Sequence, residues 1–337
     1  MLKQSSATPG IDHAMNSWLR RRRDDRGFKV SNREKQKCQR DRFDGQRLPC
    51  TAPFFRTAFA AGNHLHGIAL ASARLFEPTS RSNQVDERLM ATVFAVTGTS
   101  SGIGRAFSDL CVDRGELVIG ISRRHDDFTR DHYVPLHWDM REPFRSRSED
   151  FMAVLEGSIR TRRADAVCLV NNAATLGTVG SSLVQSEVTM RETMDVNFFA
   201  PRELTLAVTK FCAGRRLPLR VLSVSTGAAS VAFAGWSEYC CSKAAFDLWF
   251  RGFHVETSKD VRSAVFYPGV VDTPMQSVIR GFDARQFPDV DRFRELKSSG
   301  RLLSACKVAS VMMQLLADPT FGERPAYDVR DFVIEGS

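Results

Sequence analysis

Among the residues able to do chemistry, Tyr239 and Lys243 have the most useful types and spacing, in the stretch Tyr239-Cys240-Cys241-Ser242-Lys243. The stretch opens a helical run, and four-residue spacing places both side chains on one helix face. A free tyrosine ionises near pH ~10, too high for efficient acid–base work at neutral pH. A nearby ammonium favours the phenolate and lowers that value. The pair can therefore pass a proton to a carbonyl oxygen. Taken alone it equally suits a buried tyrosine beside a snorkelling lysine, so its meaning depends on what lies upstream.

Upstream lies Thr97-Gly98-Thr99-Ser100-Ser101-Gly102-Ile103-Gly104, between a strand-like run and a helical one. Glycines let the backbone turn tightly and approach a pyrophosphate closely, and the helix that follows presents free N–H groups and a favourable dipole. The predicted cofactor contacts here are Gly98, Ser100, Ser101, Gly102, Ile103 and Gly104. The next strand ends Ser122-Arg123-Arg124. A site for NAD usually places an acidic residue there, against the ribose 2′-hydroxyl. None stands at this strand end, and Asp126 and Asp127 lie too far along. Arg123 can instead pair with a 2′-phosphate, assisted by Ser122 and Arg124. The predicted cofactor is NADP(H), whose positively charged oxidised nicotinamide would further lower the pKa of Tyr239. The competing reading makes these arginines solvated surface residues.

These groups need a frame. Thr92–Val96, Leu117–Ser122, Tyr133–His137, Ala166–Val170, Arg220–Val224 and Ser263–Tyr267 read as strands, with Val329–Ile334 as a weaker seventh. Helical stretches fall near 103–114, 146–160, 187–212, 238–258 and 305–317. Strands alternating with helices predict an α/β fold, a parallel sheet covered on both faces. Residues 90–337 suffice for one such domain.

That segment resembles the short-chain dehydrogenase/reductase family from end to end. The resemblance rests on the TGxxxGxG loop, Asn171-Asn172-Ala173-Ala174, Asn197, the Ser225-Thr226 pair, Tyr239 with Lys243, and Pro268-Gly269 followed by Asp272-Thr273. It implies a Rossmann-type, doubly wound sheet of seven parallel strands. It implies that Lys243 holds the nicotinamide ribose and that Asn197 organises a water in the proton relay. Asn172 and Ala173 would flank the cofactor, Asp139 would meet the adenine, and Pro268, Gly269, Val271 and Thr273 would border the nicotinamide. The family's catalytic serine lies thirteen residues before the tyrosine. Here that position is Thr226, preceded by Ser225. A threonine hydroxyl can make the same hydrogen bond, so Thr226 is favoured and Ser225 remains the alternative. Homodimers or homotetramers built on the long helices are implied by the resemblance alone.

Within the family the chain is most similar to sepiapterin and benzil reductases, through Gly235-Trp236-Ser237-Glu238-Tyr239-Cys240, Asp272-Thr273-Pro274-Met275-Gln276 and Leu296-Lys297-Ser298-Ser299-Gly300-Arg301-Leu302. The resemblance implies a small carbonyl substrate, a ketone or vicinal dicarbonyl. Trp236 and Phe233 would wall the reacting carbonyl, with Asp272 and Gln276 nearby. Asp328 falls near a pterin-anchoring carboxylate of sepiapterin reductases, or else is a solvated strand-end aspartate. Residues 274–303, with Phe282, Phe287 and Phe293, read as a mobile lid. The rival to a carbonyl reductase is a non-catalytic NADP(H)-binding regulator, which would not need the whole proton relay.

Composition limits the remaining possibilities. The chain has 337 residues, 43% hydrophobic and 26% charged, with a net charge of +8. Residues 1–89 hold 17 basic and 9 acidic residues, leaving 30 of each afterwards. The neutral domain gives no electrostatic reason to expect nucleic acid. No apolar run reaches the roughly 20 residues of a membrane span. The eight cysteines show no metal-binding spacing, and read as free thiols they point to the cytoplasm. Residues 1–89 lack sustained periodicity and read as a disordered extension, apart from a short helix around 52–61 or 67–76. Three roles compete for it: a tether to nucleic acid or acidic lipid, a targeting segment, or a functionless extension before a domain starting at Met90. The last is favoured.

Overall fold

The computed structural model describes residues 91–332, apart from 125–129 and 258–260. The expectations for residues 1–89, including disorder and a short helix, lie outside the described residues, as do Met90, Asp126 and Asp127.

Seven parallel strands run in the order β3-β2-β1-β4-β5-β6-β9. They are β1 (Thr92–Thr97), β2 (Leu117–Ser122), β3 (Tyr133–His137), β4 (Ala166–Asn171), β5 (Leu219–Val224), β6 (Val261–Tyr267) and β9 (Ala326–Asp328). A separate two-stranded pair joins β7 (Val271–Asp272) to β8 (Leu303–Ser304). β1 and β2 are buried along their whole length, as expected where helices cover both faces. Alternate side chains of β1 serve opposite cores. Phe94 and Val96 join α1 (Gly102–Asp113) and α8 (Ala305–Ala317), through Phe107, Cys111 and Met312. Val93 and Ala95 face α2 (Ser148–Arg162), α4 (Ala200–Arg215) and α5 (Ser237–Glu256), through Phe151, Leu204 and Phe250.

The strand order reverses beside β1, so β1 and β4 diverge into helices on opposite sides. A crevice opens there beyond the carboxyl ends of the strands, where ligands of doubly wound sheets bind. Thr97 closes its floor: its hydroxyl accepts the backbone N–H of Asn172 (2.9 Å) and of Ala173 (3.0 Å).

Three elements depart from the sequence expectation. The predicted helix 187–212 is interrupted. α3 (Glu187–Met194) passes through a wider π turn at Asp195–Phe199 into α4. The seventh strand is Ala326–Asp328 instead of Val329–Ile334, because Asp328 accepts the N–H of Arg330 and starts a 3₁₀ turn. Val329 is apolar because it fills a core, and not because it is in a strand. The expected lid at 274–303 contains two helices, α6 (Pro274–Arg280) and α7 (Val290–Ser298). They pack on buried Phe287, Val290 and Phe293, a third apolar cluster shared with Trp236 and Tyr239.

Candidate active site

The crevice encloses about 1090 Å³. That exceeds the upper end of ordinary small-ligand pockets, about 1,000 Å³, and gives room for a dinucleotide and a second molecule.

Its phosphate end is built from β1, α1 and the turn between them. Gly98 (φ +75°) and Gly102 (φ +62°) hold left-handed backbone, and both line the crevice with Ser100, Ser101 and Ile103. Ser101 caps α1 without a side-chain hydrogen bond, and no acidic residue stands in the first turn. The helix start therefore offers unmasked N–H groups to an anion. Gly104 was expected among these contacts but is not on the crevice wall. A Cβ there would lie 2.3 Å from the Gly98 carbonyl oxygen, so this glycine lets α1 pack under the loop. Two supporting residues were not anticipated. Tyr133 donates to Thr99 Oγ1 (2.9 Å) beneath the loop. Gly120 makes room for it, since a Cβ there would sit 2.0 Å from the Tyr133 oxygen. A glycine inside a strand was the available signal.

At the ends of β2 and β3, Ser122, Arg123, Arg124 and Asp139 all reach the wall. Arg123 and Arg124 are exposed, whereas Ser122 is buried and donates to the Arg124 carbonyl (2.7 Å). The guanidinium of Arg141 grips both oxygens of Asp139, the nearer at 2.6 Å, and holds its carboxyl below the usual range. Arg141 also lines the crevice. These residues fit a phosphate-bearing dinucleotide: glycines where a Cβ would intrude, an uncapped helix start, and cations at the β2 end.

At the other end, three consecutive residues at the end of β5 meet one stripe of α5. Thr226 lies close enough to Tyr239 to favour its ionised form, and its hydroxyl oxygen accepts the Ala228 N–H (3.3 Å). Lys243 Nζ donates to the Val224 carbonyl (3.1 Å). Ser225 Oγ donates to Asp247 Oδ2 (3.4 Å). Burial pushes the Tyr239 hydroxyl up to about 12, against the lowering effect of Thr226. Burial pulls Lys243 down to about 8, against the raising effect of Asp247. The expectation that Lys243 brings the tyrosine down does not describe this arrangement, in which desolvation outweighs other influences on both groups.

Asn197 is buried and does not reach the wall. Its Nδ2 donates to the Thr175 carbonyl (2.8 Å) and Ser242 Oγ (2.9 Å), and its Oδ1 accepts from Thr175 N (2.8 Å). These bonds brace the loop after β4 against α5. Asn172 and Ala173 line the crevice, with Asn172 Nδ2 on the Thr97 carbonyl (2.9 Å).

Pro268, Gly269, Val271 and Thr273 line the crevice as expected, and Gly269 takes a positive φ of +69°. Asp272 does not. It turns outward to Lys297 (2.5 Å) and Arg280 (3.7 Å), which hold its carboxyl down. Gln276 is buried on the wall. Trp236 stacks on Phe287 at 4.3 Å between centroids and 6° between planes, and meets Tyr239 edge-on at 5.6 Å. With Phe233 and Phe293, also on the wall, it makes a broad apolar surface beside the tyrosine ring. Asp328 reaches the wall but is gripped by Arg330 (2.7 Å), which lowers its carboxyl.

A family model described as short chain dehydrogenase matches residues 92–283. A benzil reductase ((S)-benzoin forming) of Bacillus subtilis is 30% identical over 244 residues, 72% of this chain and 99% of the relative. A sepiapterin reductase of Xenopus tropicalis is 29% identical over 245 residues, 68% and 92% of the two chains. The crystal structure of the KRED1-Pglu enzyme superposes with a TM-score of 0.61 at 24% identity, covering 70% of this chain and 100% of that one. With the parallel sheet, the glycine turn at its switch point and the Tyr239–Lys243 stripe already in place, these matches make this chain a member of the short-chain dehydrogenase/reductase family of oxidoreductases.

Proposed function

We propose that residues 90–337 are an NADPH-dependent carbonyl reductase acting on ketones and vicinal dicarbonyls beside an aromatic or pterin ring. The observation that carries this is a single juxtaposition. Tyr239 and Thr226 lie together on the crevice wall, between a phosphate-accepting glycine turn and a stacked aromatic surface.

A bound nicotinamide supplies the hydride. Thr226 donates to the substrate carbonyl oxygen and polarises it. Tyr239, kept protonated by its burial, gives its proton to that oxygen as negative charge develops. Lys243 keeps a positive charge near the tyrosine and the cofactor ribose. Arg123 and Arg124 hold the 2′-phosphate. Trp236, Phe233 and Phe293 cover the apolar face of the substrate and exclude water. The benzil and sepiapterin reductases among the relatives support this substrate class. A homodimer or homotetramer in the cytoplasm completes the reading. Six described cysteines are free, and no described helix is long and apolar enough to cross a membrane.

The test is NADPH consumption with benzil, a 2,3-dione, sepiapterin and a simple ketone, repeated with NADH. Turnover of the dicarbonyls with NADPH is expected. Tight NADPH binding without turnover of any of them would leave a regulator as the better reading. Equal turnover with NADH would remove the role of Arg123.

A further inference from the structure

Tyr239 and Lys243 belong to a longer stripe on α5. The next positions at four-residue spacing are Asp247 and Arg251. Asp247 is 6% exposed, close to Lys243 at 5%. A carboxylate so far from water needs compensation. Its Oδ1 accepts from Arg251 Nε (2.8 Å), and its Oδ2 accepts from the Tyr267 hydroxyl (2.6 Å) and Ser225 Oγ (3.4 Å). Arg251 also donates to the Tyr267 hydroxyl (2.5 Å). The network joins α5, β6 and the end of β5, one residue before Thr226.

We propose that Asp247 is a positioning residue: it supplies the counter-charge that keeps Lys243 an ammonium, and through Ser225 it fixes the end of β5 that presents Thr226. This rests on the reading of Tyr239 and Lys243 as the proton-transfer pair.

Two observations carry the inference. The first is the fixed match between strand and helix. The Val224 carbonyl accepts from Lys243 and Ser225 donates to Asp247, while Thr226 lies beside Tyr239 with its hydroxyl oxygen on the Ala228 N–H, so the two hydroxyls face different partners. The second is electrostatic. The titratable and charged groups about this stripe are Tyr239, Asp247 and Arg251 on α5 itself and Tyr267 on β6, while the β5 end brings only Val224, Ser225 and Thr226. Burial drives Lys243 toward its neutral form, and Asp247 opposes this. A buried lysine kept charged by one carboxylate on the same helix face loses that charge more readily when the carboxylate goes.

The sign follows directly. Reduction needs the ammonium, so activity declines as pH rises through the Lys243 value of about 8. Removing the Asp247 charge moves that decline to lower pH.

The experiment is the pH dependence of kcat for dicarbonyl reduction at saturating NADPH. It compares the wild type with Asp247→Asn, Asp247→Glu, Tyr267→Phe and Tyr239→Phe, with melting temperatures as a check on folding. Asp247→Asn is expected to shift the basic limb down by about one pH unit. Asp247→Glu, which keeps the charge, is expected to leave the limb in place. Tyr267→Phe removes a hydrogen bond from the same carboxylate without removing its charge, and the limb is again expected to stay. Should Asp247→Asn not fold, Asp247→Ser also removes the charge and takes its place. An unmoved limb in the charge-removing variant, or an equal shift in Tyr267→Phe, overturns the inference. Tyr239→Phe separates the two levels. If it retains wild-type turnover, the proton-donor reading itself fails. If it is inactive and the Asp247→Asn limb has not moved, only the role of Asp247 fails.

Discussion

Thr226 and Ser225 are adjacent hydroxyls, and their surroundings assign them different work. Thr226 lies beside Tyr239, whereas Ser225 is turned to Asp247. Thr226→Ala should lower kcat by about 10²-fold, the scale for losing one donor to a developing oxyanion. Ser225→Ala should cost much less. Steady-state kinetics on the two variants check this, and the reverse order would exchange the roles. Tyr239→Phe should lower kcat by about 10²–10⁴-fold while NADPH still binds, as followed by cofactor fluorescence. The sequence displayed these chemical groups because their identity and spacing are the signal: a tyrosine four residues before a lysine, thirteen after a threonine. It did not display where side chains would be spent. Asp272 was expected at the substrate, yet it answers to Lys297 and Arg280, twenty-five and eight residues away. Asn197 was read as part of a proton relay, and its side chain also ties Thr175 to Ser242, a bracing role that its place in the sequence did not display. Such competition between partners is settled only when distant segments meet.

At the scale of elements, strands β2 and β3 could be read to the residue because each is a short, largely apolar run between polar, charged stretches. The elements misread in sequence were those shaped by one local bond or by packing. The turn after β9 starts where Asp328 captures the Arg330 N–H, a choice invisible in the apolar pattern. α6 and α7 are helices because Phe287 and Phe293 find Trp236, which lies more than fifty residues earlier in the chain. The glycine turn has its own prop, Tyr133 beneath Thr99 with Gly120 cleared to admit it. Gly120→Ala would force its new methyl into the tyrosine ring. It should destabilise the domain by about 1–3 kcal/mol, the usual cost of overpacking. Because the displaced tyrosine supports the loop, it should also weaken NADPH binding more than it lowers kcat. Tyr133→Phe should weaken binding without the loss of stability from overpacking. Thermal melts and cofactor titration separate the two. A Gly120→Ala protein with wild-type affinity would show that the loop holds its shape unaided.

For the whole molecule, the question is where the working unit begins. Among the described residues, 91–332, lie a seven-stranded sheet, the two cores that flank it and the crevice. The charge divides at the same place: the excess of +8 belongs to residues 1–89, and the remainder balances. The sequence reading of residues 1–89 as a functionless extension allows them to change catalysis only through long-range charge. Such effects act on encounter with the anionic cofactor and are screened over about 10 Å at 0.1 M salt. A protein starting at Met90 should therefore melt at the same temperature as the full chain and keep its kcat on a dicarbonyl. Any difference in KM for NADPH should shrink as salt is raised from low to physiological strength. Parallel melts and salt-dependent kinetics on the two forms measure this. A truncated protein that fails to fold, or whose kcat drops at every salt concentration, would place part of the enzyme before Met90. Binding of nucleic acid by the full chain alone would instead give the basic segment a separate function, leaving the reductase with the neutral domain.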